Sequence, residues 1–400
     1  MLGMNLVIPF LPFYVRSLGV TNPSEVAFWS GAAFSGTFLS AFIATPFWGT
    51  LGDRYGRKIM VVRAIFGLAV SQVLIGLSQN VYQLVLFRIL QGTISGFIAS
   101  ALALVSTNTP KDKIGSSLGI LQSSTAAGMV LGPFVGGVLA DAIGYRGIFF
   151  ITAGLCALGG LVVLGGVQEV TASHPSSRKY SILDNYQFLL RNRVLRTVGV
   201  SLVVAQMAVL MIEPVFALFI ESFETGVSYI ATLAGGIFSI SGIFMVISAP
   251  WWGKRNDRLG HRKNVCLALA GVSAAYAGHV VVSTLGQLGF LRALLGFVRG
   301  GVLPTLYSLA SLHAPVDRRG GIMAIAASLT LLGNTAGPLI GGFVAGTLGI
   351  RASFVGASVI LMFLSLFVWR NLPDEMARPD GSRTGIGGTP AVTEIPPQPV

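Results

Sequence analysis

Long apolar segments recur from one end of this sequence to the other. Of its 400 residues, 53% are hydrophobic and only 10% are charged, whereas about 25% are charged in soluble proteins. An apolar run of roughly 18 or more residues can cross a bilayer as a helix. Backbone polar groups in lipid must be satisfied within their own segment, and the chain lacks the period-2 alternation of a membrane barrel. We therefore expect an all-α integral membrane protein.

The apolar pattern predicts twelve transmembrane helices, which we number as spans 1 to 12. Their approximate cores are residues 1–15, 27–49, 59–78, 81–106, 114–140, 145–167, 195–220, 227–250, 264–284, 286–311, 320–346 and 350–370. Span 1 would rise only about 22 Å, less than a hydrocarbon core of about 30 Å. It has neither a basic leader nor a small-residue cleavage site, so it is not a signal peptide. We expect the chain to start inside its first helix, which would be truncated.

Basic residues fall in alternate loops. The formal net charge is +12, and 21 of the 27 Lys and Arg lie in or at the edges of the loops after spans 2, 4, 6, 8 and 10 and the C-terminal tail. The opposite loops hold only Arg16, Arg146 and Arg351. The positive-inside rule then predicts a multi-pass plasma-membrane protein with its charged loops and its C-terminus in the cytoplasm. Topology explains the charge, so we expect no nucleic-acid partner.

Several other classes of protein are excluded by missing patterns. The two cysteines, Cys156 and Cys266, lie singly in apolar spans, which excludes a disulfide framework. The four histidines are scattered without metal-ligand spacing, and no G-x-x-x-x-G-K-[ST] motif occurs. No Ser/His/Asp set converges by spacing. We expect no metal, no cofactor and no enzymatic activity.

The most charged stretch of the chain occurs twice. The sequence "WGTLGDRYGRK", which starts at Trp48, returns 204 residues later as "WGKRNDRLGHRK", which starts at Trp252. Offsets of 204 or 205 also relate "LFRILQG" to "FLRALLG" and "GPFVGG" to "GPLIGG". The chain is therefore two homologous halves of six spans each. Because six is even, both halves have the same orientation in the membrane.

These halves predict the organisation of the whole chain. The linker sequence "ILDNYQFLLRNRVL" combines an apolar stripe with basic residues, as in a helix that lies along a membrane surface. Parallel halves with a site between them are the plan of one large class of secondary transporters. The predicted division is an N-terminal six-helix bundle (1–167), a cytoplasmic linker (168–194), a C-terminal six-helix bundle (195–370) and a disordered cytoplasmic tail (371–400).

Four motifs resemble those of the major facilitator superfamily, and within it those of the twelve-helix drug:proton antiporters. They are the loop signature after span 2, the span 4 signature, the span 5 antiporter signature G-x-x-x-G-P-x-x-G-G and a proline-bearing span 1, found here at Gly49–Lys58, Arg88–Gly92, Gly128–Gly137 and "LGMNLVIPFLP". The resemblance covers nearly the whole chain except the linker and the tail. It implies two pseudo-symmetric six-helix bundles and proton-coupled export of hydrophobic drugs or toxic compounds by alternating access.

Two gating elements are predicted. A carboxylate in the loop signature would face the positive end of a helix dipole, and its glycines allow a tight turn, which together can form a latch between the halves. The latch candidates are Gly49, Asp53, Arg54, Gly56, Arg57 and Asp257. The second element is a small-residue face on span 5, kinked by its proline, which the resemblance places near the interface of the halves. Its residues are Gly128, Gly132, Pro133, Gly136 and Gly137. The alternative is that both elements serve only topology and helix packing.

Charged residues within the spans mark the predicted coupling site. Glu213 is the only acid well inside a span, and Arg88, Arg292 and Arg299 are the only bases. A charge there costs at least about 2.5–3.5 kcal/mol on insertion scales, so it should face a cavity or a partner. Spans 1, 4, 7 and 10, which the resemblance places around the central cavity, include all four charges. Glu213 is therefore the candidate proton carrier, and the alternative is a fixed ion pair with Arg292 or Arg299 that only braces the bundle.

The substrate pocket is predicted to be mainly apolar and aromatic, since soft and adaptable side chains suit promiscuous binding. The apolar and aromatic candidates are Phe10, Phe13, Tyr14, Phe216, Phe219, Phe238, Phe244, Tyr307, Met207, Met211 and Met245. The amide candidates are Gln91, Gln122, Gln206 and Asn334. The expected partners are small-molecule substrates, protons and the lipid bilayer, and the expected state is a monomer. The alternative function is transport of a defined polar solute such as a sugar or metabolite, whose carrier would line its pocket with more Asn, Gln and Asp.

Overall fold

Helices make up nearly all of the computed structural model, which describes residues 5–110, 113–169, 180–223 and 229–373. Within these ranges the side chains at 49, 50, 53, 54, 97–99, 103, 106, 107, 114 and 115 are not described. This part of the chain contains nine helices long and apolar enough to cross a membrane, and it contains no strand. The predicted all-α membrane fold is confirmed.

Six of the spans are single helices. They are Pro23–Tyr55 (span 2), Arg57–Gly76 (span 3), Ile230–Leu259 (span 8), His261–Val281 (span 9), Arg319–Leu348 (span 11) and Ile350–Asn371 (span 12). Spans 5 and 6 together form Ile114–Gly166, divided where Gly144 has φ of 79° and ψ of 162°. This fusion and the short segments of spans 1 and 4 explain why nine helices rather than twelve meet the length criterion in the described residues. Span 10 counts as one stretch, Leu285–His313, because Gly300 and Gly301 keep right-handed helical φ and ψ between its two parts.

The remaining spans, 1, 4, 7 and 10, are each interrupted. Their parts are Ile8–Phe10 and Leu11–Ser17, Val81–Ile94 and Phe97–Asn108, Arg193–Leu210 and Phe216–Glu221, and Leu285–Arg299 and Val302–His313. Interrupted backbone within a membrane is tolerated only inside protein or beside a water-filled cavity. The four interrupted spans are also those expected to surround the cavity.

The interruptions follow the internal repeat. Gly96, with φ of 112°, lies at the break in span 4, and Gly300 lies 204 residues later at the break in span 10. Pro214 lies in the break of span 7, and Pro9, 205 residues earlier, lies in the short 3-10 helix that precedes Leu11 in span 1. Proline lacks the N–H group that would complete the preceding helical turn, so helices end beside it.

Equivalent hydrogen bonds stabilise the two halves. Trp48 Nε1 donates to the Thr93 carbonyl at 2.6 Å, and Trp252 Nε1 donates to the Phe297 carbonyl at 2.7 Å. Both members of the second pair lie 204 residues after those of the first. Each tryptophan thereby fixes the end of its own span 2 or span 8 to the segment that precedes the break in span 4 or span 10. The repeat therefore extends to single contacts.

The linker contains the helix Ile182–Arg191, which begins with a capping box formed by Ser181 and Asp184. Its buried Leu189 packs with Ile322 and Ile325 of span 11. Just before the helix, the Tyr180 hydroxyl donates to Asp317 Oδ2 at 2.8 Å. The described part of the linker therefore lies against spans 7–12.

Glycines join the two halves along two helix pairs, span 2 with span 11 and span 5 with span 8. Gly31 lies against the backbone of Pro338, and Gly235, 204 residues after Gly31, lies against the backbone of Pro133. A Cβ atom at either glycine would overlap a carbonyl oxygen. Only glycine therefore permits this approach of one backbone to another.

The halves are in contact at one end of the molecule and apart at the other. We call the end where span 2 begins at Pro23 and span 8 begins at Ile230 the closed end, and the opposite end, with the basic loops, the basic end. Described contacts between span 8 and span 5 reach as far as Gly242, which touches Val130. On span 5, none of the described side chains from 116 to 127 is buried, whereas Gly128, Gly132, Pro133, Gly136 and Gly137 are. Span 8 has therefore separated from span 5 toward the basic end.

Candidate transport site between the two halves

One ion pair joins two of the interrupted helices. Glu213 lies in the non-helical segment of span 7, and Arg299 ends the first helix of span 10. Arg299 Nη1 lies 3.5 Å from Glu213 Oε1, and their side chains are 23% and 18% exposed. An exposed charge at this depth must face a cavity rather than lipid. The carboxylate therefore has access both to a cation and to water.

Pro214 explains the position of Glu213. It has no N–H group to donate to the Leu210 carbonyl, and the first helix of span 7 ends at Leu210. Residues 211–215 form turns, and the helix resumes at Phe216. The proline thus places an acid in a short stretch of backbone that is not bound into a helix. This arrangement matches discontinuous helices that form binding sites near the middle of transporters.

The other two arginines of the predicted coupling site are buried. Arg88 and Arg292 are 7% and 3% exposed, and neither forms an ion pair with a described acid. Arg88 Nη1 donates to Gln91 Oε1 at 3.2 Å, while the Arg292 guanidinium lies 3.1 Å from the ring centroid of Phe216. Aromatic faces attract such cations. Of the two partners predicted for Glu213, the structure therefore selects Arg299.

A buried histidine beside this cluster was not predicted from the sequence. His279 of span 9 is fully buried, and its ring stacks on Phe354 at a centroid distance of 5.2 Å. Its Nδ1 atom contacts the Ala275 carbonyl at 2.7 Å. Phe216 lies between Arg292 and His279, since its ring also approaches the His279 ring at 6.4 Å. The signal available in the sequence was a histidine within the last turn of an apolar span.

The candidate substrate residues occupy different surroundings. Gln206 Nε2 donates to Asn334 Oδ1 at 2.9 Å, which brings spans 7 and 11 together. The Tyr307 hydroxyl pairs with Thr330 Oγ1 at 2.8 Å between spans 10 and 11. These three candidates therefore share one region of the second half.

Four other substrate candidates lie outside that region. Phe238 is 9% exposed and meets the Phe216 ring edge-on at 4.9 Å. Met211 is 1% exposed, and its backbone lies against Gly341, so it serves helix packing in this conformation. Gln91 is buried beside Arg88, and Gln122 is exposed.

The loop signature forms the turn between spans 2 and 3, and the structure describes only part of it. The surroundings of Gly49 and the side chains of Asp53 and Arg54 lie outside what the structure describes. Gly56 has φ of 100° and its counterpart Gly260 has φ of 83°, so both turns require the left-handed freedom of glycine. The repeated acid, Asp257, is exposed.

A carboxylate from elsewhere caps span 3. Glu169, just after span 6, accepts hydrogen bonds from the backbone N–H groups of Arg57 at 2.6 Å and Lys58 at 3.1 Å. The first N–H groups of a helix have no partner within it, and negative charge is favourable there. The sequence therefore led us to expect a carboxylate at this helix start, but it did not identify Glu169.

Replacing Glu169 by alanine should lower the thermal stability of the purified protein in detergent. Loss of an N-cap side chain costs about 0.5–2 kcal/mol, and two N–H groups lose their acceptor here. Glu169→Gln keeps one acceptor oxygen and should give a smaller decrease in Tm. Asp257→Ala, a change at an exposed acid, serves as the control. Equal Tm values for Glu169→Ala and the unmodified protein would show that this cap does not stabilise the helix.

The small-residue face of span 5 contacts two different helices. Gly132 and Gly136 lie against Asn5 and Leu6 of span 1, within the same half. Gly137 lies against the Ala231 backbone of span 8, in the other half. Gly128 and Pro133 are buried in the same helix, and the Pro133 carbonyl faces Gly235. One signature therefore packs span 1 on one side and the opposite half on the other.

The sequence of this chain matches the model of one protein family over most of its length. The description of that model is Major Facilitator Superfamily, and it matches residues 1–286 and 200–396. The chain belongs to the Major Facilitator Superfamily. It is 37% identical over 389 residues to the multidrug resistance protein MdtG of Enterobacter lignolyticus, an alignment that covers 97% of this chain and 91% of that protein. It is also 37% identical to MdtG of Proteus mirabilis, over 92% of this chain and 91% of the relative.

Solved structures share the same architecture. The crystal structure of the nucleoside transporter NupG, in a mutant form, superposes with a TM-score of 0.76 at 15% identity, over 92% of this chain and 97% of that one. A bacterial homolog of the human lysosomal transporter Spinster, inward-facing and unoccupied, gives a TM-score of 0.74 at 13% identity, over 92% and 93%. At such identities the likeness establishes the fold alone. The predicted major facilitator fold is thereby confirmed.

Proposed function

We propose that the protein is a multidrug efflux transporter of the bacterial inner membrane that exchanges hydrophobic toxic compounds for protons. The 37% identity to MdtG proteins over nearly the full length supports export of drugs. The observation that carries the coupling proposal is the partly exposed Glu213–Arg299 pair between two interrupted helices. The membership of the superfamily favours a transporter rather than an enzyme. We propose that it works as a monomer on small molecules, with no nucleic acid.

The basic end faces the cytoplasm in this proposal, together with the C-terminal tail. The support is the excess of Lys and Arg in the loops at that end, which the positive-inside rule places in the cytoplasm. The structure is then an inward-open conformation, sealed at the periplasmic side by the glycine contacts of spans 2, 5, 8 and 11. Alternating access requires those contacts to separate and the basic end to close. The loop signature, with Asp53 and Asp257, would form the latch of that second state.

Glu213 carries the proton in this mechanism. Its affinity for a proton depends on its exposure to water and on the nearness of a cation, and both change when the halves move. A cationic drug near the ionised carboxylate would favour proton release, and by linkage protonation would weaken drug binding to the same extent. Arg299 is the cation that lies beside Glu213 in the empty site, while Arg88 and Arg292 supply positive potential from within the bundles.

The geometry of the pair favours a switch over a brace. Charge-assisted N–H···O bonds in proteins are typically about 2.7–2.9 Å long, whereas the Arg299–Glu213 distance is 3.5 Å. An ion pair that only braces the bundle would be expected in the buried interior, where Arg292 lies. Both partners of the Glu213–Arg299 pair are instead partly exposed. The loose, accessible pair can separate at small cost when a proton or a substrate arrives.

A transporter of a defined polar solute is the second candidate. The observation that favours it is the group of hydrogen-bonding side chains formed by Gln206, Asn334 and Tyr307. Amides and hydroxyls at fixed positions are suited to recognise sugar or nucleoside hydroxyls. The identity to multidrug resistance proteins favours apolar ligands instead.

Reconstitution into proteoliposomes tests the proposed function. An imposed pH gradient should drive accumulation of a lipophilic cationic dye, and a protonophore should reduce it to the level of liposomes without protein. Unlabelled hydrophobic drugs should compete with the dye, whereas sugars and nucleosides should not. Dye movement that ignores the gradient would contradict proton coupling. Competition by polar solutes alone would support the second candidate.

A further inference from the structure

One carboxylate crosses between the halves at the closed end. Asp141 Oδ2 accepts hydrogen bonds from the Thr232 backbone N–H at 2.7 Å and from the Thr232 hydroxyl at 2.6 Å, and Oδ1 accepts from the Ala231 N–H at 3.3 Å. Asp141 belongs to span 5, whereas these donors belong to the first turn of span 8. The N-cap residue of span 8, Tyr229, provides no side-chain cap of its own. The start of this helix is therefore capped from the other half of the molecule.

Such a cap stabilises one conformation rather than the fold of either half. The first N–H groups of a helix lack partners, and the helix dipole makes that end favourable for a negative charge. These hydrogen bonds can form only while spans 5 and 8 are in contact at the closed end. If the halves separated there, these hydrogen bonds would break, and the N–H groups of span 8 and the carboxylate of Asp141 would be exposed to water.

The internal repeat shows that this cap is an addition to the shared plan. The counterpart of Asp141, 205 residues later in span 11, is Gly346, which lies against the Ser24 backbone of span 2. Span 2 is capped within its own half, because Asn22 Oδ1 accepts from the Ser24 N–H at 2.9 Å. Both helix pairs are joined by glycine packing and by one serine hydroxyl, since Ser35 donates to the Thr335 carbonyl and Ser239 donates to the Val130 carbonyl. Among the described residues, the pair of spans 5 and 8 adds the carboxylate of Asp141.

A second polar contact lies at the same end. Arg16 Nη1 and Glu221 Oε1 are 2.7 Å apart and connect span 1 to span 7. Both side chains are 39% exposed, and exposed pairs of this kind contribute little because water screens them. The cap at Asp141 uses three donors, two of them fixed backbone groups, and is the stronger candidate for control of this end.

We infer that Asp141 is a gating residue that holds the closed end shut by capping span 8 across the interface. It sets the equilibrium between the conformation seen here and the one that opens at the closed end. The inference requires only that the halves separate there during transport, so it does not depend on the identity of the substrate or on Glu213. Removing the carboxylate should raise the population open at the closed end.

Cysteine accessibility measures that population directly. Ala27 of span 2 is 2% exposed and packs with Val215 and Ala345 of the second half at the closed end. Ala27→Cys should react slowly with a water-soluble maleimide until the closed end opens. The native Cys266 is buried between spans 9 and 12, where its thiol lies 3.5 Å from the Ser365 carbonyl. Its labelling in the same molecule reports loss of the fold, and Cys156→Ser removes the other thiol.

In the full-length purified protein, Asp141→Ala should speed labelling of Ala27→Cys about 3- to 10-fold, the range expected for a capped and charged helix start. Asp141→Asn loses the charge and part of the acceptor capacity, so it should give a smaller rise in the labelling rate. If the alanine variant does not fold, the asparagine variant provides the test of the inference. Glu25→Gln, a change at an exposed acid near the start of span 2, should have no effect. Unchanged labelling in both Asp141 variants, or an equal rise at Cys266, would overturn the inference.

Discussion

Glu213→Gln is expected to reduce pH-gradient-driven drug accumulation to the level of liposomes without protein. Glutamine keeps the size and the hydrogen-bonding shape of the side chain but cannot bind or release a proton in this pH range. Drug binding and downhill exchange of one drug molecule for another should persist, because neither requires net proton movement. Proteoliposomes loaded with a labelled lipophilic cation measure both activities in the same preparation.

The matched control is Glu25→Gln, the same chemical change at an exposed acid of span 2, which should transport normally. Full gradient-driven transport by Glu213→Gln would remove Glu213 as the coupling residue. The Glu213–Arg299 pair would then be a brace, and the variant should show a lower Tm instead of a transport defect. Measuring Tm alongside transport therefore separates the two roles of the pair.

Gly235→Ala is expected to impair transport strongly by preventing closure at the closed end. Its new methyl group would meet the Pro133 carbonyl of span 5, and a backbone atom cannot move aside as a side chain can. Overpacking a tight contact costs about 1–3 kcal/mol, enough to shift a conformational equilibrium about 5- to 150-fold. Drug transport in proteoliposomes and labelling of Ala27→Cys should report slower turnover and a more open closed end.

The neighbouring residue gives a close control for this experiment. A Cβ atom at Gly236 would meet only the Phe134 ring, at 3.8 Å, which is an ordinary van der Waals distance. Gly236→Ala gains the same helix propensity, about 1 kcal/mol over glycine, without the clash. It should transport normally. Equal activity of the two variants would mean that the contact between Gly235 and Pro133 can relax, and that glycine is not required there.

The architecture was predictable because its signals are local or repeated. The length of the apolar runs defined the spans, and the sequence repeat at a fixed offset defined the halves. The break in span 7 followed from Pro214, since a proline leaves a carbonyl without its donor. The break in span 10 was not predicted, because Gly300 and Gly301 lie in a sequence that reads as continuous helix. Glycine permits such a break but does not require it.

The partners of individual acids could not be predicted. Arg292 and Arg299 lie two turns apart on one helix, so helical periodicity left both as partners of Glu213. Glu169 and Asp141 lie near the ends of spans, where acids are common. No sequence pattern there indicates which helix start each of them caps. Their roles depend on helices that approach from distant parts of the sequence. The sequence therefore located the charged site but not the two carboxylates that cap helix starts.

The Arg16–Glu221 contact shows how a twelve-helix chain differs from a pair of identical six-helix chains. The two residues lie 205 positions apart, so they occupy the same place in each half and meet across the axis that relates the halves. In a homodimer of a single half, a residue near that axis meets its own copy. Two arginines or two glutamates would then face each other and repel. Once the two halves have separate coding sequences, as in this chain, one copy can become basic and the other acidic, and an attraction on the axis replaces a repulsion.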